Sequence, residues 1–467
     1  MKKNYYISPV LEKIRNTPIS DDLHLAVDFA EEYINSVDSM RVYPSAMDID
    51  SLSVFNETLP DTPTSIRGIL EKLHQFGSKA TVAQTGGRYF GFVCGGMLPS
   101  SLCAKWLCDA WDQNPAMFVL SPIGAKLEEV CEKWLRELLS LPQETVAGFV
   151  SGSSTAAICG LLAGRNYLLQ QQGYDVTAKG LNGAPKVNVV LSEGAHSTVF
   201  KALSIIGLGN ESITRVPMDT QGRISDEKLP LLNNSTLLIL QAGNVNSGAF
   251  DNFSAICKKA KEAGAWIHVD GAFGLWAAAS PELSYLTKGM ELADSWSVDG
   301  HKTLNTPYDN GIILCRHSHI LVKAMHMSGG YIQLTENKRD SMLFTMEMSR
   351  RARAADLWTA LMGLGKTGVA ELVEELCAKA RYFAKELEKI GFGIENEVVF
   401  NQVLARYKND ELTQRLIEKI QNSGVLWLGG STWFGKAVMR ISVCSYKTTY
   451  KDIGICITEI KQLISEL

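Results

Sequence analysis

The residues best suited to chemistry lie at the ends of short apolar runs. In "AWIHVDGAFG" Asp270 closes such a run, and in "DSWSVDGHKTLN" another run ends just before His301 and Lys302. A carboxylate at the end of a buried strand is costly unless a cation or a hydrogen-bond donor meets it, so Asp270 needs a partner. A lysine in a partly desolvated pocket is expected to have its neutral amine favoured, the state that Schiff-base chemistry requires. Read alone, Asp270 fits equally well as a helix cap in the following loop. Upstream, "GFVSGSSTAAICGLLAGRN" passes from an apolar strand through small residues into a helix. Free N–H groups at that helix start, with the hydroxyls of Ser153 and Ser154, would cradle a phosphate, although the same small residues also suit tight packing of helix on sheet. In "LSEGAHSTVFKAL" His196 stands at a helix entrance, where an imidazole either stacks on a flat ring or simply hydrogen-bonds to the helix start.

Something must hold these residues together. From about 81 to 330, the runs "VAGFVS", "KVNVVLSE", "TLLILQAG", "AWIHVDG", "DSWSVD" and "GIILCR" alternate with helical stretches, the pattern of a mostly parallel α/β sheet with helices on both faces. Ser151, His196, Asn246, Asp270 and Lys302 each lie just beyond one of these runs, where parallel sheets gather ligands. Residues 1–80 carry apolar positions at helical spacing and predict an N-terminal helical segment. Residues 81–330 predict a large α/β domain, and 331–467 a smaller C-terminal α+β domain. The 467 residues are 46% hydrophobic and 21% charged, enough for two domains around a substantial core.

A net charge of −4 gives no electrostatic reason to expect a nucleic acid or a membrane surface as partner, which leaves small molecules. The N-terminus has no apolar h-region and no long uncharged stretch could span a bilayer, so a cytoplasmic location is expected. Ten cysteines are scattered without a C-x-x-C pair or a zinc-like Cys/His cluster; free thiols and no metal are the expectation. "GLGKTG" (363–368) looks like the tail of a nucleotide-binding loop, but Ala360 stands where that motif needs glycine and a helix precedes it. Gly363 and Gly365 are better read as helix termination.

Eight blocks carry a further signal: "RYFGF" (88–92), "SGSSTAA" (151–157), "EGAHSTVFKAL" (193–203), "AGNVNSGAFD" (242–251), "HVDGAFG" (268–274), "DGHKTLNTPYDNG" (299–311), "EMSRRARAADLW" (347–358) and "MRISVCSYKTT" (439–449). In this order they resemble the group II pyridoxal-phosphate-dependent amino-acid decarboxylases of fold type I, which include the glutamate, aromatic-amino-acid, tyrosine and histidine enzymes. The resemblance implies a mostly parallel seven-stranded sheet flanked by helices, a smaller C-terminal α+β domain and an N-terminal helical dimerisation segment. It also implies pyridoxal 5′-phosphate as cofactor and a homodimer with shared active sites.

Residue by residue, it makes Lys302 the cofactor's covalent attachment point and Asp270 the partner of the pyridinium nitrogen. His196 would lie over the ring. Ser153, Ser154 and His301 would meet the phosphate, joined by Ser349 from the second subunit, and Asn246 would make a polar contact to the cofactor. Tyr331, in "MSGGYIQLTENKRDS", matches a proton donor to Cα on a mobile loop, with Gly329 and Gly330 as a hinge. Arg440, in "AVMRISVC", matches a carboxylate-binding arginine; the alternative is a strand-edge arginine in a surface ion pair. Phe92 aligns near a position that is glutamine in glutamate-type relatives and aromatic in aromatic-amino-acid relatives, which favours an aromatic or bulky side chain. Gln113 and Asn114 in "WDQNPAMF" offer polar contacts for another substrate.

Two positions depart from the family pattern: Thr303 replaces the usual tryptophan, and Gly300 the usual proline or alanine. The implied reaction is decarboxylation of an L-amino acid to the amine and CO₂. An aminotransferase, aldolase or β-lyase would use the same cofactor and is told apart by CO₂ release. Against a cofactor-binding protein without turnover stand Lys302, Asp270, His196 and Tyr331.

Overall fold

The computed structural model describes residues 8–325 and 334–467. The apolar runs become strands β1 (Tyr89–Phe90), β2 (Val146–Val150), β3 (Asn188–Ser192), β4 (Thr214–Val216), β5 (Thr236–Gln241), β6 (Trp266–Asp270), β7 (Ser295–Asp299) and β8 (Gly311–Cys315). After these come β9 (Phe392–Ile394), β10 (Gln402–Tyr407), β11 (Trp427–Trp433) and β12 (Lys436–Ser442). The larger sheet has seven strands in the order β2-β8-β7-β6-β5-β3-β4. Its strand β8 runs antiparallel to both neighbours, and the other neighbours pair in parallel.

These strands read as unbroken apolar runs because both faces are buried. Along β5, Leu238 and Leu240 enter one core while Leu237 and Ile239 enter the other. The first core is closed by the helices Pro122–Leu138 and Phe253–Glu262 and by part of Ala354–Glu388. The second is closed by Ser153–Gln171, Ser197–Ile205 and Ser318–Met325. Glycines let the helix Ser153–Gln171 lie close on the sheet: a Cβ on Gly160 would stand 2.8 Å from His268 Nδ1, and one on Gly164 2.7 Å from Trp266 Cδ1. Part of that small-residue run therefore serves packing.

The smaller sheet runs β1-β11-β12-β10-β9. It recruits β1 from far upstream, in parallel to β11 through Tyr89↔Trp427, while its other pairs are antiparallel. Phe383, Leu416 and Ile453 on the covering helices fill its own core. The helix Ala354–Glu388 is broken at Gly365, whose φ of +62° favours glycine. Gly363, expected to help end the helix, stays within it and allows close approach instead, since a Cβ there would lie 2.9 Å from Ser100 Oγ.

The N-terminal helices Pro9–Asn16 and Ser20–Ser36 bury none of their own residues and expose Leu11, Ile14 and Leu23. All ten cysteines are free, and no helix among the described residues is long and apolar enough to cross a membrane.

Candidate active site

Strands β2, β3, β5, β6 and β7 end at one edge of the larger sheet. The loops beyond them, together with Phe92 and Val93 and with Gly430 and Arg440 of the smaller sheet, enclose a cavity of about 450 Å³. From the larger sheet come Ser153 and Ser154 after β2, His196 after β3, Asp270 at the end of β6, and His301 and Lys302 after β7. One further pair of glycines seats these loops: Gly311, where β8 begins, could carry a Cβ only 2.3 Å from Gly152 Cα, so the Ser153 turn lies directly on the start of β8.

Lys302 Nζ is 2.9 Å from Asp299 Oδ2. The same oxygen accepts the Ser153 hydroxyl at 2.8 Å, and Oδ1 accepts the Ser153 amide at 2.5 Å. Burial of the amine is the largest single influence on Lys302 and would lower its pKa. Asp299 beside it and Asp270 farther off outweigh that, and the pKa is raised. The expectation of a neutral amine is thus corrected: a buried counter-ion reverses what desolvation alone would do. Asp299 ends an apolar run just as Asp270 does, a signal that sequence reading passed over.

His301 takes the Asn310 amide on Nδ1 at 2.9 Å, which leaves Nε2 to carry the proton, 3.6 Å from Asp299 Oδ2. Burial lowers its pKa, and its ring stacks on Tyr308 with centroids 4.3 Å apart. Asp270 accepts the Ala272 amide on Oδ1 at 3.3 Å. Burial raises its pKa, opposed by the nearby His196 and Lys302. His196 caps the helix Ser197–Ile205, its Nδ1 accepting the Thr198 amide at 3.2 Å; burial lowers its pKa and keeps the ring neutral.

Arg440 lies in the middle of β12, between Gly429 of β11 and Leu404 of β10, and not on a strand edge. It has no ion-pair partner among the described residues; its Nη1 donates to the Val245 carbonyl at 3.3 Å and its buried Nε has no partner. Phe92 and Val93 hold φ values of +51° and +59°, consecutive left-handed conformations that cost non-glycine residues of order 1–3 kcal/mol each. Phe92 stacks on Trp427 at 5.4 Å, and Trp427 on Tyr89 at 5.3 Å. Trp427, itself off the cavity wall, comes to back Phe92 because β11 pairs with β1.

Asn246 is not on the cavity wall, although its neighbour Val245 is; its Oδ1 accepts the Ser431 hydroxyl at 2.8 Å. Ser349 also lies off the cavity of its own chain, its Oγ taking Asn114 Nδ2 at 3.2 Å. Asn114 is occupied there and Gln113 donates to the Trp111 carbonyl, so neither faces the cavity. Tyr331, with Gly329 and Gly330, falls outside the described residues. At the two departures from the family pattern, Thr303 Oγ1 donates to the Phe273 carbonyl at 2.8 Å, and a Cβ on Gly300 would meet Asn310 Oδ1 at 2.7 Å.

The donor set fits the pyridoxal phosphate that the sequence resemblance implies. A helix start with Ser154 and His301 supplies anion donors, an acid lies at the end of β6, an amine stands between, and an imidazole flanks the space. Gln241 Nε2, buried on the same wall, has no hydrogen-bond partner among the described residues and is free for a ligand.

Comparisons with known proteins agree with this geometry. Residues 49–408 match the sequence profile described as the pyridoxal-dependent decarboxylase conserved domain. The chain is 25% identical over 469 residues to an aromatic-L-amino-acid decarboxylase of Bacillus atrophaeus, covering 95% of this chain and 94% of that protein. It is 24% identical to tyrosine/DOPA decarboxylase 5 of Papaver somniferum over 482 residues, covering 92% and 90%. A solved structure of Oryza sativa TDC with PLP and tryptamine superposes with a TM-score of 0.89 at 21% identity, covering 99% of each chain.

Proposed function

This chain belongs to the pyridoxal-dependent decarboxylase family and uses pyridoxal 5′-phosphate to decarboxylate an amino acid, and within that chemistry we propose an L-amino acid with an aromatic or bulky side chain as substrate and a homodimer as the working unit. The observation that carries the reading is an amine, a buried acid and a half-buried guanidinium without a carboxylate partner facing one cavity.

In this proposal Lys302 is the residue that holds the cofactor covalently. When bound, the cofactor supplies an electron sink for the pair left as the bond from Cα to the carboxylate breaks. Asp270 keeps a proton on the ring nitrogen by pairing with it, a direct ion pair that its buried carboxyl makes with no described residue. His196, neutral and fixed by its bonds to Thr198, flanks the ring. Ser153, Ser154 and His301 hold the phosphate end, where the helix Ser153–Gln171 begins. Arg440 binds the substrate carboxylate, orienting it through a planar fork that has no carboxylate partner of its own. Tyr331 delivers the proton to Cα, a role resting on sequence alone. Asn246 and Ser349 have no such support from the geometry within one chain.

The side-chain preference is supported by Phe92 at the cavity wall, backed by Trp427, and by the named activities of the Bacillus atrophaeus and Papaver somniferum relatives. The homodimer is supported by the exposed apolar side chains of the N-terminal helices, which a second copy would cover. A cytoplasmic location accords with ten free thiols. The test is CO₂ release from each of the twenty L-amino acids with added cofactor. Release from tyrosine, tryptophan or phenylalanine above the rest is expected; release only from glutamate or aspartate would overturn the substrate class. Sedimentation as a monomer at micromolar concentration would overturn the dimer.

A further inference from the structure

Asp299 has no part in the scheme above, yet its buried carboxylate joins two pieces of the site that the scheme uses separately. Through Oδ1 it takes the amide that opens the helix Ser153–Gln171. Through Oδ2 it takes both the Ser153 hydroxyl and the Lys302 ammonium. The start of that helix is where free N–H groups and the helix dipole favour an anion. A phosphate held there and the Asp299 carboxylate want the same amide and hydroxyl, and like charges drawn to one pair of donors repel. The titratable groups around Asp299 and Lys302 are His301, Asp270, His196, Tyr308 and Cys444, and Asp270 is the one other carboxyl acting on Lys302.

Resting on the cofactor reading, we propose that Asp299 is a positioning residue that couples the phosphate seat to Lys302. While the seat holds no anion, Asp299 keeps the lysine as an ammonium; an anion at Ser153 loosens the carboxylate and releases the amine. Attachment then balances without oxidant or reductant. The ammonium gives one proton to water, Nζ adds to the aldehyde carbon, a carbon–nitrogen double bond forms, and the aldehyde oxygen leaves as water. The order of events makes the lysine reactive mainly towards an aldehyde that brings a phosphate.

The full-length protein, stripped of cofactor, is treated with pyridoxal, which has the aldehyde but no phosphate, with and without inorganic phosphate. After borohydride reduction the Lys302 peptide is quantified by mass spectrometry. In the wild type, labelling is expected to be slow and to speed up with inorganic phosphate. In Asp299→Asn, which keeps an acceptor for Ser153 but drops the charge, labelling without phosphate should be at least about tenfold faster at pH 7, the factor for one pKa unit of relief on the amine. It should also respond little to phosphate. Equal rates in the two proteins overturn the proposal. So does a wild type indifferent to phosphate, an arm that needs no variant to fold. Pyridoxal phosphate serves as the separate control: if it fails to label Lys302 in the wild type, the cofactor reading falls and this proposal with it. If it labels Lys302 but inorganic phosphate has no effect on pyridoxal, only the role of Asp299 is lost.

Discussion

On the helix Pro122–Leu138, Glu128 meets Arg350 at 2.6 Å with both side chains about 1% exposed, and Arg339 reaches Glu128 at 3.3 Å and Glu132 at 2.7 Å. The cavity also buries charge, but differently: Lys302, Asp299 and Asp270 surround open space, and Arg440 and Gln241 keep donors unused. In the first region every carboxylate has an arginine within ion-pair distance, and although Arg350 also keeps buried nitrogens without hydrogen-bond partners, none of these residues lines the cavity. Buried charge alone therefore does not mark a site in this chain; unspent donors facing a cavity do. The first cluster also ties the segments around Arg339 and Arg350 to the body of the larger domain, so its worth should appear in stability and not in chemistry.

Substitutions that separate those two worths test the contrast. Lys302→Ala should lower activity by at least about three orders of magnitude while the chain still folds. Far-ultraviolet circular dichroism and a single-turnover assay check both halves, and an unfolded variant would place Lys302 with the structural cluster. Glu128→Gln should do the opposite, costing about 3–5 kcal/mol of stability because Arg350 and Arg339 lose their shared partner in the interior. Denaturant midpoints read the loss, and kcat per folded molecule should hold; a fall in kcat with stability intact would dissolve the distinction. Arg440→Met should lower kcat/KM about ten- to a hundredfold, as expected for removing a hydrogen bond to a charged group, with little change in melting temperature. A melting shift without a kinetic one would return Arg440 to packing.

The smallest effect comes from a third buried group. His268 is fully buried on β6, its Nδ1 2.8 Å from Ser295 Oγ, and burial pushes its pKa down to about 3. The unfolded histidine titrates near 6.5, so the unfolded chain binds the extra proton between those values. Stability from this group is complete above pH 6.5 and is lost as pH falls towards 3. Between pH 6 and pH 5 the change should be about 1 kcal/mol, and His268→Gln should flatten that part of the pH–stability curve. An unchanged slope would mean that other groups set the acid sensitivity.

Much of the fold was legible because its strands are buried on both faces: six apolar runs around residues 146 to 315 became buried strands of one sheet, and the residues just after the five that run parallel share one edge. The antiparallel turn-back of β8 was not legible, because an apolar run carries no direction. Nor was the role of Gly363, since a glycine near a helix end and a glycine under a neighbouring helix look alike in sequence.

By itself the sequence determined the chemistry on offer: a lysine, an acid and a histidine beyond strand ends, and a small-residue helix start, each a property of local residue type and spacing. Tertiary structure decided what those groups experience. Asp299 reverses the effect of burial on Lys302 because two groups three residues apart fold back to 2.9 Å. Trp427 comes to stack behind Phe92, and Arg440 reaches the cavity wall, because a sheet built mainly from the last eighty residues packs here and borrows Tyr89 and Phe90. Neither could be read along the chain, since pairwise electrostatics and strand pairing depend on distances in space that sequence separation does not fix.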